Sequence, residues 1–249
     1  MDMEKINSYV IYVKSNKLSV ESSKQTIKSA KEVGGLNPVP YVGFHQNESK
    51  SLLEKYKFNI LDKERIWDKF CYFDSAIACF FSHFSLWEKS VKSNQRIMIL
   101  EHDAVFTSKY VDFDFDGIIN IGKPLWNILP NNDVRNLIDN KKETNLYQWD
   151  CKCEVTSDLQ HSNKCSNFKC SSWCLRGAHS YIITPKSAEK LINKSYNLGI
   201  VPVDNHINRY NDDIAETEPY FTFQNSRFSL VTKHNKKYEG WVEGEEAWK

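Results

Sequence analysis

The sequence lacks a long apolar run and a secretory signal. No stretch of the 249 residues approaches the roughly 18 consecutive apolar residues that a transmembrane helix needs. The segment Met1 to Asn7 is polar and carries acid as well as base, whereas a secretory signal starts with a basic segment and continues with an apolar run. We therefore expect a soluble, cytoplasmic protein without a transmembrane segment.

The sequence also lacks an excess of either charge. It has 33 Lys and Arg against 32 Asp and Glu, a net charge of +1, so it has no overall basic field and nucleic acid is not an expected partner. Hydrophobic residues make up 41% and charged residues 26%, which excludes a collagen-like chain, a coiled coil and a mainly disordered protein. We find no repeat and no linker, and we predict a single domain over residues 1–249.

The first sixty residues alternate between strand and helix patterns. Ser8–Val13 and Val39–Phe44 are rich in β-branched and aromatic residues, as strands are. Between them an apolar set at helical spacing predicts a helix, and Glu48–Tyr56 predicts another. This order is typical of a parallel α/β sheet. The apolar set of the first helix is Val20, Ile27, Ala30 and Val33.

The clearest helix pattern is followed by the clearest buried strand. Asp74–Asn94 carries one apolar stripe, and Asp74 is a plausible N-cap. Ile97–Leu100 is a wholly apolar strand that ends in Glu101-His102-Asp103. Strands of an open α/β sheet deliver their carboxyl ends to the ligand crevice, where two carboxylates can hold a hard divalent cation. The alternative is an ordinary acidic turn.

The second half of the chain has a large segment without periodicity, about 124–176, which we predict to be an irregular insertion. Before it, Asp112–Asp116 alternates strictly and predicts a half-buried strand. After it, Ser180–Thr184 predicts a strand, with Thr184 as an N-cap and Pro185 at the first position of the next helix.

Two blocks of the sequence form a specific combination: Ala78-Cys-Phe-Phe-Ser-His-Phe-Ser-Leu-Trp87 and Ile99-Leu-Glu-His-Asp-Ala-Val-Phe106. Together they resemble glycosyltransferase family 25, the lipopolysaccharide-biosynthesis and collagen-galactosyltransferase-like enzymes. The family has a Cys-x-x-Ser-His-x-x-x-Trp helix and then an apolar strand that ends in Leu-Glu-Asp-Asp. The later blocks Gly177–Leu191 and Pro202–Asp204, and the opening strand, agree in order with those of the family.

The resemblance implies a fold, a reaction and a set of site residues. The fold would be a GT-A type nucleotide-sugar-binding fold with a mainly parallel central sheet. A divalent cation such as Mn²⁺ would assist transfer from a nucleotide sugar, with a UDP-sugar favoured, to a glycan or protein hydroxyl. Asp103 would be the metal ligand, and Glu101 would orient the donor or the metal. Ser82 and His83 match a pair beside the acidic motif, and Asp204 matches a residue that binds or activates the acceptor.

Two departures from the family pattern keep another function open. His102 stands where the family has an acid, which changes the charge by one unit. The family usually carries an Arg after the first strand, whereas Lys14–Lys24 contains only Lys, which lacks the bidentate fork of Arg. The alternative is therefore a non-catalytic carbohydrate-binding or scaffold protein on the same fold.

The predicted insertion holds a cysteine cluster. Its spacing does not follow the paired Cys-x₂-Cys form of many zinc sites, and three states stay open: structural zinc, disulfides and free thiols. Zinc would explain how an irregular segment holds together without a core. The candidate ligands are Cys151, Cys153, Cys165, Cys170 and Cys174.

Overall fold

A computed structural model of the chain describes residues 6–61, 63–68, 72–123, 145–148, 175, 178–208 and 213–225. The strands are β1 (Asn7–Tyr12), β2 (Val39–Val42), β3 (Ile97–Glu101), β4 (Ala104–Phe106), β5 (Ile118–Asn120), β6 (Gly122–Lys123), β7 (Asn145–Gln148), β8 (Ser180–Ile183), β9 (Ile214–Glu218) and β10 (Thr222–Gln224). The helices are α1 (Lys17–Glu32), α2 (Ser49–Tyr56), α3 (Phe73–Ser93), α4 (Pro185–Asn197) and the short α5 (Val203–His206). The predicted cysteine cluster lies outside the described residues, and zinc there stays a prediction.

The central sheet has seven strands in the order β2-β1-β3-β8-β5-β9-β7. β1, β2, β3, β5 and β9 run in one direction, while β8 and β7 run against them. The prediction of a mixed α/β fold with a mainly parallel central sheet agrees with this topology. A second sheet, in the order β4-β10-β6, begins directly after β3.

The prediction of a wholly irregular segment at about 124–176 is wrong in one respect. Strand β7 lies inside this segment and pairs with β9 at the edge of the central sheet. An edge strand is held by its backbone pairing with one neighbour. Four residues are too few for a clear alternation, so the sequence pattern did not reveal it.

Alternating side chains of β3 fill two hydrophobic cores. Ile97 and Ile99 pack in the core with α3 and α4, whereas Met98 and Leu100 pack in the core with Ala30 of α1. The aromatic stripe of α3 fills the first core, as its spacing predicts. Since side chains alternate along a strand, the next residue, Glu101, falls on the α3 side. The stripe residues buried there are Ile77, Phe80, Phe81, Phe84 and Trp87.

Two local predictions require correction. Helix α3 begins at Phe73 with Tyr72 as its N-cap, because Asp74 instead accepts a hydrogen bond from Ser49 of α2. Asp112–Asp116 is not a strand, because the carboxylate of Asp112 is engaged by Arg96 and Tyr110.

The helix predicted after the first strand is confirmed as α1, and of its apolar set Ala30 is buried and Ile27 packs against the second core. Val33, the C-cap, is exposed, and the other buried residues of α1 carry hydroxyl groups. Ser22 and Thr26 donate hydrogen bonds to a neighbouring loop, so burial does not leave their hydroxyls unsatisfied.

The predicted start of α4 is confirmed. The Thr184 hydroxyl accepts from the backbone N–H of Ser187, with Pro185 at the first turn. In the part of the chain that the structure describes, no helix is both long and apolar enough to span a bilayer.

Candidate functional site

The acidic turn lies where the central strand β3 ends. Ile97–Leu100 is fully buried between β1 and β8, and Glu101 is the first residue to reach partial exposure. The backbone N–H of Glu101 donates to the carbonyl oxygen of His179 at 2.7 Å, just before β8. The chain then turns through His102 and Asp103 into β4.

Hydroxyl groups of α1 hold this turn. Ser22 Oγ and Thr26 Oγ1 both donate to the carbonyl oxygen of His102, at 2.8 and 2.7 Å. A single carbonyl oxygen has two lone pairs, so both bonds can form at once. The polar face of α1 therefore fixes the backbone between the two carboxylates.

A buried histidine positions the first carboxylate. His83 Nε2 lies 3.2 Å from Glu101 Oε1, and the side chains of His83 and Glu101 are 1% and 21% exposed. His83 Nδ1 lies 2.9 Å from the hydroxyl of Tyr181, which also accepts a hydrogen bond from Trp87 Nε1 at 2.8 Å. Both ring nitrogens of His83 are thus engaged, and the imidazole is fixed in orientation.

This environment keeps Glu101 ionised. Burial alone would raise the pKa of Glu101, but the hydrogen bond and charge of His83, with the charges of His102 and His179, lower it to about 2. Glu101 Oε1 also accepts from Cys79 Sγ at 3.5 Å. The carboxylate is therefore negative at neutral pH and surrounded by groups that stabilise its charge.

The second carboxyl group is shifted in the opposite direction. Asp103 is 1% exposed, and burial raises its pKa to about 6; the charge of Glu101 adds to this, while His102 and Gln224 oppose it. Asp103 Oδ2 accepts from Gln224 Nε2 at 2.9 Å. Its Oδ1 is buried and has no hydrogen-bond partner among the described residues. A cation at Oδ1 would stabilise the charged form, so these residues fit a hard metal ion.

Asp204 lies beside the same end of the sheet. It belongs to the short helix α5, and its Oδ1 accepts from the backbone N–H of Ala178 at 3.4 Å. Ala178 precedes His179, the residue that binds the backbone of Glu101. Burial raises the pKa of Tyr181 well above its usual value, and the charge of Asp204 is one of the smaller contributions in the same direction. The charge of Asp204 thus acts on Tyr181, the residue that contacts His83 beside Glu101.

The sequence motifs that converge on this geometry match a family model. The model described as glycosyltransferase family 25 (LPS biosynthesis protein) matches residues 43–207, which include α3, the acidic turn, β8 and Asp204. The chain belongs to glycosyltransferase family 25. No match to it was found among curated proteins. Membership confirms the resemblance drawn from the motifs and supports glycosyltransferase activity.

Of the Ser-His pair shared with family 25, only His83 contacts the acidic turn. Ser82 Oγ donates to the carbonyl oxygen of Ala78 at 2.7 Å and accepts from the N–H of Phe44 at 2.9 Å. A side chain at Gly43 would come within 2.8 Å of this hydroxyl, so the glycine permits the close approach. Ser82 thus holds the segment after β2 against α3, and donor binding by Ser82 stays a prediction.

Several residues that contact the acidic turn or its partners were not assigned from sequence. Cys79 and Tyr181 lie within the motif blocks, but their contacts with Glu101 and His83 join distant parts of the chain. Gln224 lies beyond the matched segment, and no local pattern marks it. The roles of Ser22 and Thr26 depend on the burial of hydroxyl residues in α1, which the apolar spacing does not mark.

Proposed function

We propose that this family 25 chain is a metal-dependent glycosyltransferase. It would move a sugar from a nucleotide-sugar donor, with a UDP-sugar favoured, to a hydroxyl group of a glycan or protein. The observation that supports this most is the acidic turn at the end of β3, where Glu101 is partly exposed and the buried Asp103 carries an unpartnered carboxyl oxygen. We further propose that the fold is of the GT-A type.

The place of the acidic turn supports nucleotide-sugar binding. β1, β2 and β3 are neighbouring parallel strands, so their carboxyl ends lie at one edge of the sheet. Ligands of open α/β sheets bind in the crevice at this edge. The loop after β1 ends in Asn16, which caps α1, and Ser19 Oγ accepts from the N–H of Val13. These hydrogen bonds fix the loop, which lies beside Glu101 because β1 pairs with β3 up to this residue.

We propose Asp103 and Glu101 as the residues that hold the cation, which is Mn²⁺ or a similar ion. When bound, the ion would neutralise negative charge that develops on the departing diphosphate. The role of the protein is to fix the two carboxylates: His83 fixes Glu101 and Gln224 fixes Asp103. Because neither carboxylate has to reorganise, the site is prepared for the transition-state charge.

We propose Asp204 as the base that accepts the proton of the acceptor hydroxyl. It is partly buried and belongs to a short helix, so its carboxylate is held but accessible. A positioned carboxylate can remove a proton as the hydroxyl attacks the anomeric carbon. The contact with Ala178 joins Asp204 to the segment that binds Glu101, which supports a role for Asp204 next to the proposed donor site.

The test is release and transfer of sugar from UDP-, GDP- and CMP-sugars, with and without Mn²⁺. Asp103→Asn should abolish Mn²⁺-dependent turnover. Asp116→Asn is the matched control, because Asp116 is exposed and pairs only with surface Lys186 in the described contacts. Full turnover by Asp103→Asn would contradict the metal assignment. Mn²⁺-dependent binding of a nucleotide sugar without any turnover in the parent would favour the carbohydrate-binding alternative that His102 suggests.

A further inference from the structure

Three side chains of different chemistry meet beside the acidic turn. The Sγ of Cys79, a ring nitrogen of His83 and a carboxylate oxygen of Glu101 all lie within 4.8 Å of one another. Cys79 and His83 are four residues apart on α3 and therefore share one face of the helix. Glu101 faces them from β3 because of the strand alternation that also directs Ile97 and Ile99 toward α3. A thiolate, an imidazole and a carboxylate are the three ligand types of zinc sites.

The two separations measured from Glu101 match those that a tetrahedral ion imposes. Bonds of about 2.0 Å to oxygen and nitrogen and about 2.3 Å to sulfur place the oxygen and nitrogen about 3.3 Å apart, and the oxygen and sulfur about 3.5 Å apart. The observed distances from Glu101 Oε1 are 3.2 Å to His83 Nε2 and 3.5 Å to Cys79 Sγ. Glu101 therefore needs little movement relative to either partner to accept an ion, and the His83 nitrogen and Cys79 Sγ lie within 4.8 Å of each other.

The surroundings of His83 suit a metal ligand. A ligating histidine usually donates its second ring N–H to a fixed partner, which sets the tautomer and the ring orientation. Here Nδ1 lies 2.9 Å from the Tyr181 hydroxyl, and that hydroxyl is held by Trp87 Nε1. With Nε2 on a metal, the proton would lie on Nδ1 and would be donated to the Tyr181 oxygen. Cys79 is half-buried and Glu101 is 21% exposed, which leaves a side open to solvent.

We propose that Cys79, His83 and Glu101 form a binding site for a soft divalent cation of the Zn²⁺ or Cd²⁺ class, with water in the fourth position. This site differs from the hard-cation site proposed at Asp103. Thiolate and imidazole ligands select zinc over manganese, whereas an all-oxygen site has no such preference for soft ions. Because Glu101 belongs to both ligand sets, zinc would compete for the carboxylate needed at Asp103. We therefore expect Zn²⁺ to inhibit the transferase, a consequence that rests on the proposed function.

Binding is tested without any activity assay. Reduced, metal-free protein is titrated with Zn²⁺ against a chromophoric chelator, and with Co²⁺ while thiolate-to-cobalt absorption is followed. Relative to the parent, Cys79→Ser and Glu101→Gln should each lose one equivalent of tightly bound Zn²⁺, and Cys79→Ser should lose part of the thiolate absorption. The quantity compared is the difference in zinc stoichiometry between variant and parent. Zinc bound by the other cysteines is the same in both proteins and does not affect this difference. His45→Asn, which removes a half-buried imidazole outside the cluster, should keep the parent stoichiometry.

Controls for folding, and a variant of the residue that holds His83, keep this test decisive. Each variant is first shown to unfold cooperatively in the absence of metal. Tyr181→Phe keeps all three ligands but removes the partner of His83, and it should weaken zinc binding by roughly 10- to 100-fold. Unchanged stoichiometry and affinity in Cys79→Ser and Glu101→Gln would overturn the site.

The inhibition is tested separately. At saturating Mn²⁺, Zn²⁺ should lower parent turnover and should lower that of Cys79→Ser much less, each relative to its own zinc-free rate. Equal inhibition of both would overturn the shared use of Glu101. Loss of one zinc equivalent in a protein without transferase activity would support the soft-metal site while contradicting the proposed function.

Discussion

Ser22 and Thr26 hold the backbone of the acidic turn, and their removal should affect both stability and turnover. Both hydroxyls donate to the carbonyl oxygen of His102 from the buried face of α1. The double variant Ser22→Ala/Thr26→Val keeps the size of the side chains close to that of the parent but removes both donors. A hydrogen bond contributes about 0.5–1.5 kcal/mol net, so the pair should contribute about 1–3 kcal/mol to the free energy of unfolding.

The same change should move the carboxylates. His102 lies between Glu101 and Asp103, so a released carbonyl lets both side chains leave their fixed positions. A loss of about 1.4 kcal/mol of transition-state stabilisation corresponds to a tenfold fall in rate, and we expect turnover to fall by about that factor. The assays are urea unfolding and Mn²⁺-dependent turnover, both measured against the parent.

Ser23→Ala is the matched control for this prediction. Ser23 is also buried in α1, but its hydroxyl donates to the carbonyl oxygen of Val20 within the same helix. It therefore reports the general effect of removing a buried serine hydroxyl, including the change in helix propensity. If the double variant is as stable and as active as Ser23→Ala, then α1 does not position the acidic turn and the reasoning is refuted.

Three further predictions concern other parts of the molecule. Asp204→Asn should reduce sugar transfer more than donor binding, and equal losses in kcat and donor affinity would remove its role as base. Burial lowers the pKa of Lys194 to about 8 from 10.5, so the folded chain binds fewer protons than the unfolded chain between these values and stability should rise with pH there. Urea unfolding at pH 8 and pH 10 should show this rise in the parent but not in Lys194→Met, and parallel changes in both would contradict it. Gly122→Ala should lower the melting temperature, because a Cβ there would overlap His179 and Ser180, and an unchanged melting temperature would show that the two side chains can move aside.

The sequence predicted helices and strands best where a residue pattern had a single structural cause. The aromatic residues of α3 recur at helical spacing because one face of this helix fills the core, and Ile97–Leu100 is uniformly apolar because β3 is buried on both faces. Thr184 and Pro185 are local signals that need no tertiary contact to act. These features were sufficient to place the acidic turn at the end of a central strand.

The sequence misled where polar side chains bind partners elsewhere in the fold. Serines on α1 look like a solvated face, but their hydroxyls reach a backbone carbonyl of the acidic turn. The alternation in Asp112–Asp116 resembles a strand, but Arg96 and Tyr110 fix Asp112 in a loop. Local patterns carry no information on such partners.

The contacts that tune the site were beyond local patterns for a related reason. His83 and Tyr181 are 98 residues apart in the chain, and Asp103 and Gln224 are 121 apart. The motifs gave the identity of His83 and Asp103 but not what they touch. The pKa shifts of Glu101 and Asp103 depend on burial and on these partners, so they follow only from the folded structure.

The most direct test of the central claim is thermal unfolding in the presence of nucleotide sugars, with and without Mn²⁺. A ligand at 100 times its dissociation constant stabilises the folded state by about 2.7 kcal/mol, which gives a clear shift in melting temperature. The account predicts a Mn²⁺-dependent shift with a nucleotide sugar, a UDP-sugar first, that Asp103→Asn loses and Asp116→Asn keeps. The absence of a shift with every UDP-, GDP- and CMP-sugar in folded protein, or a shift that needs neither Mn²⁺ nor Asp103, would contradict it.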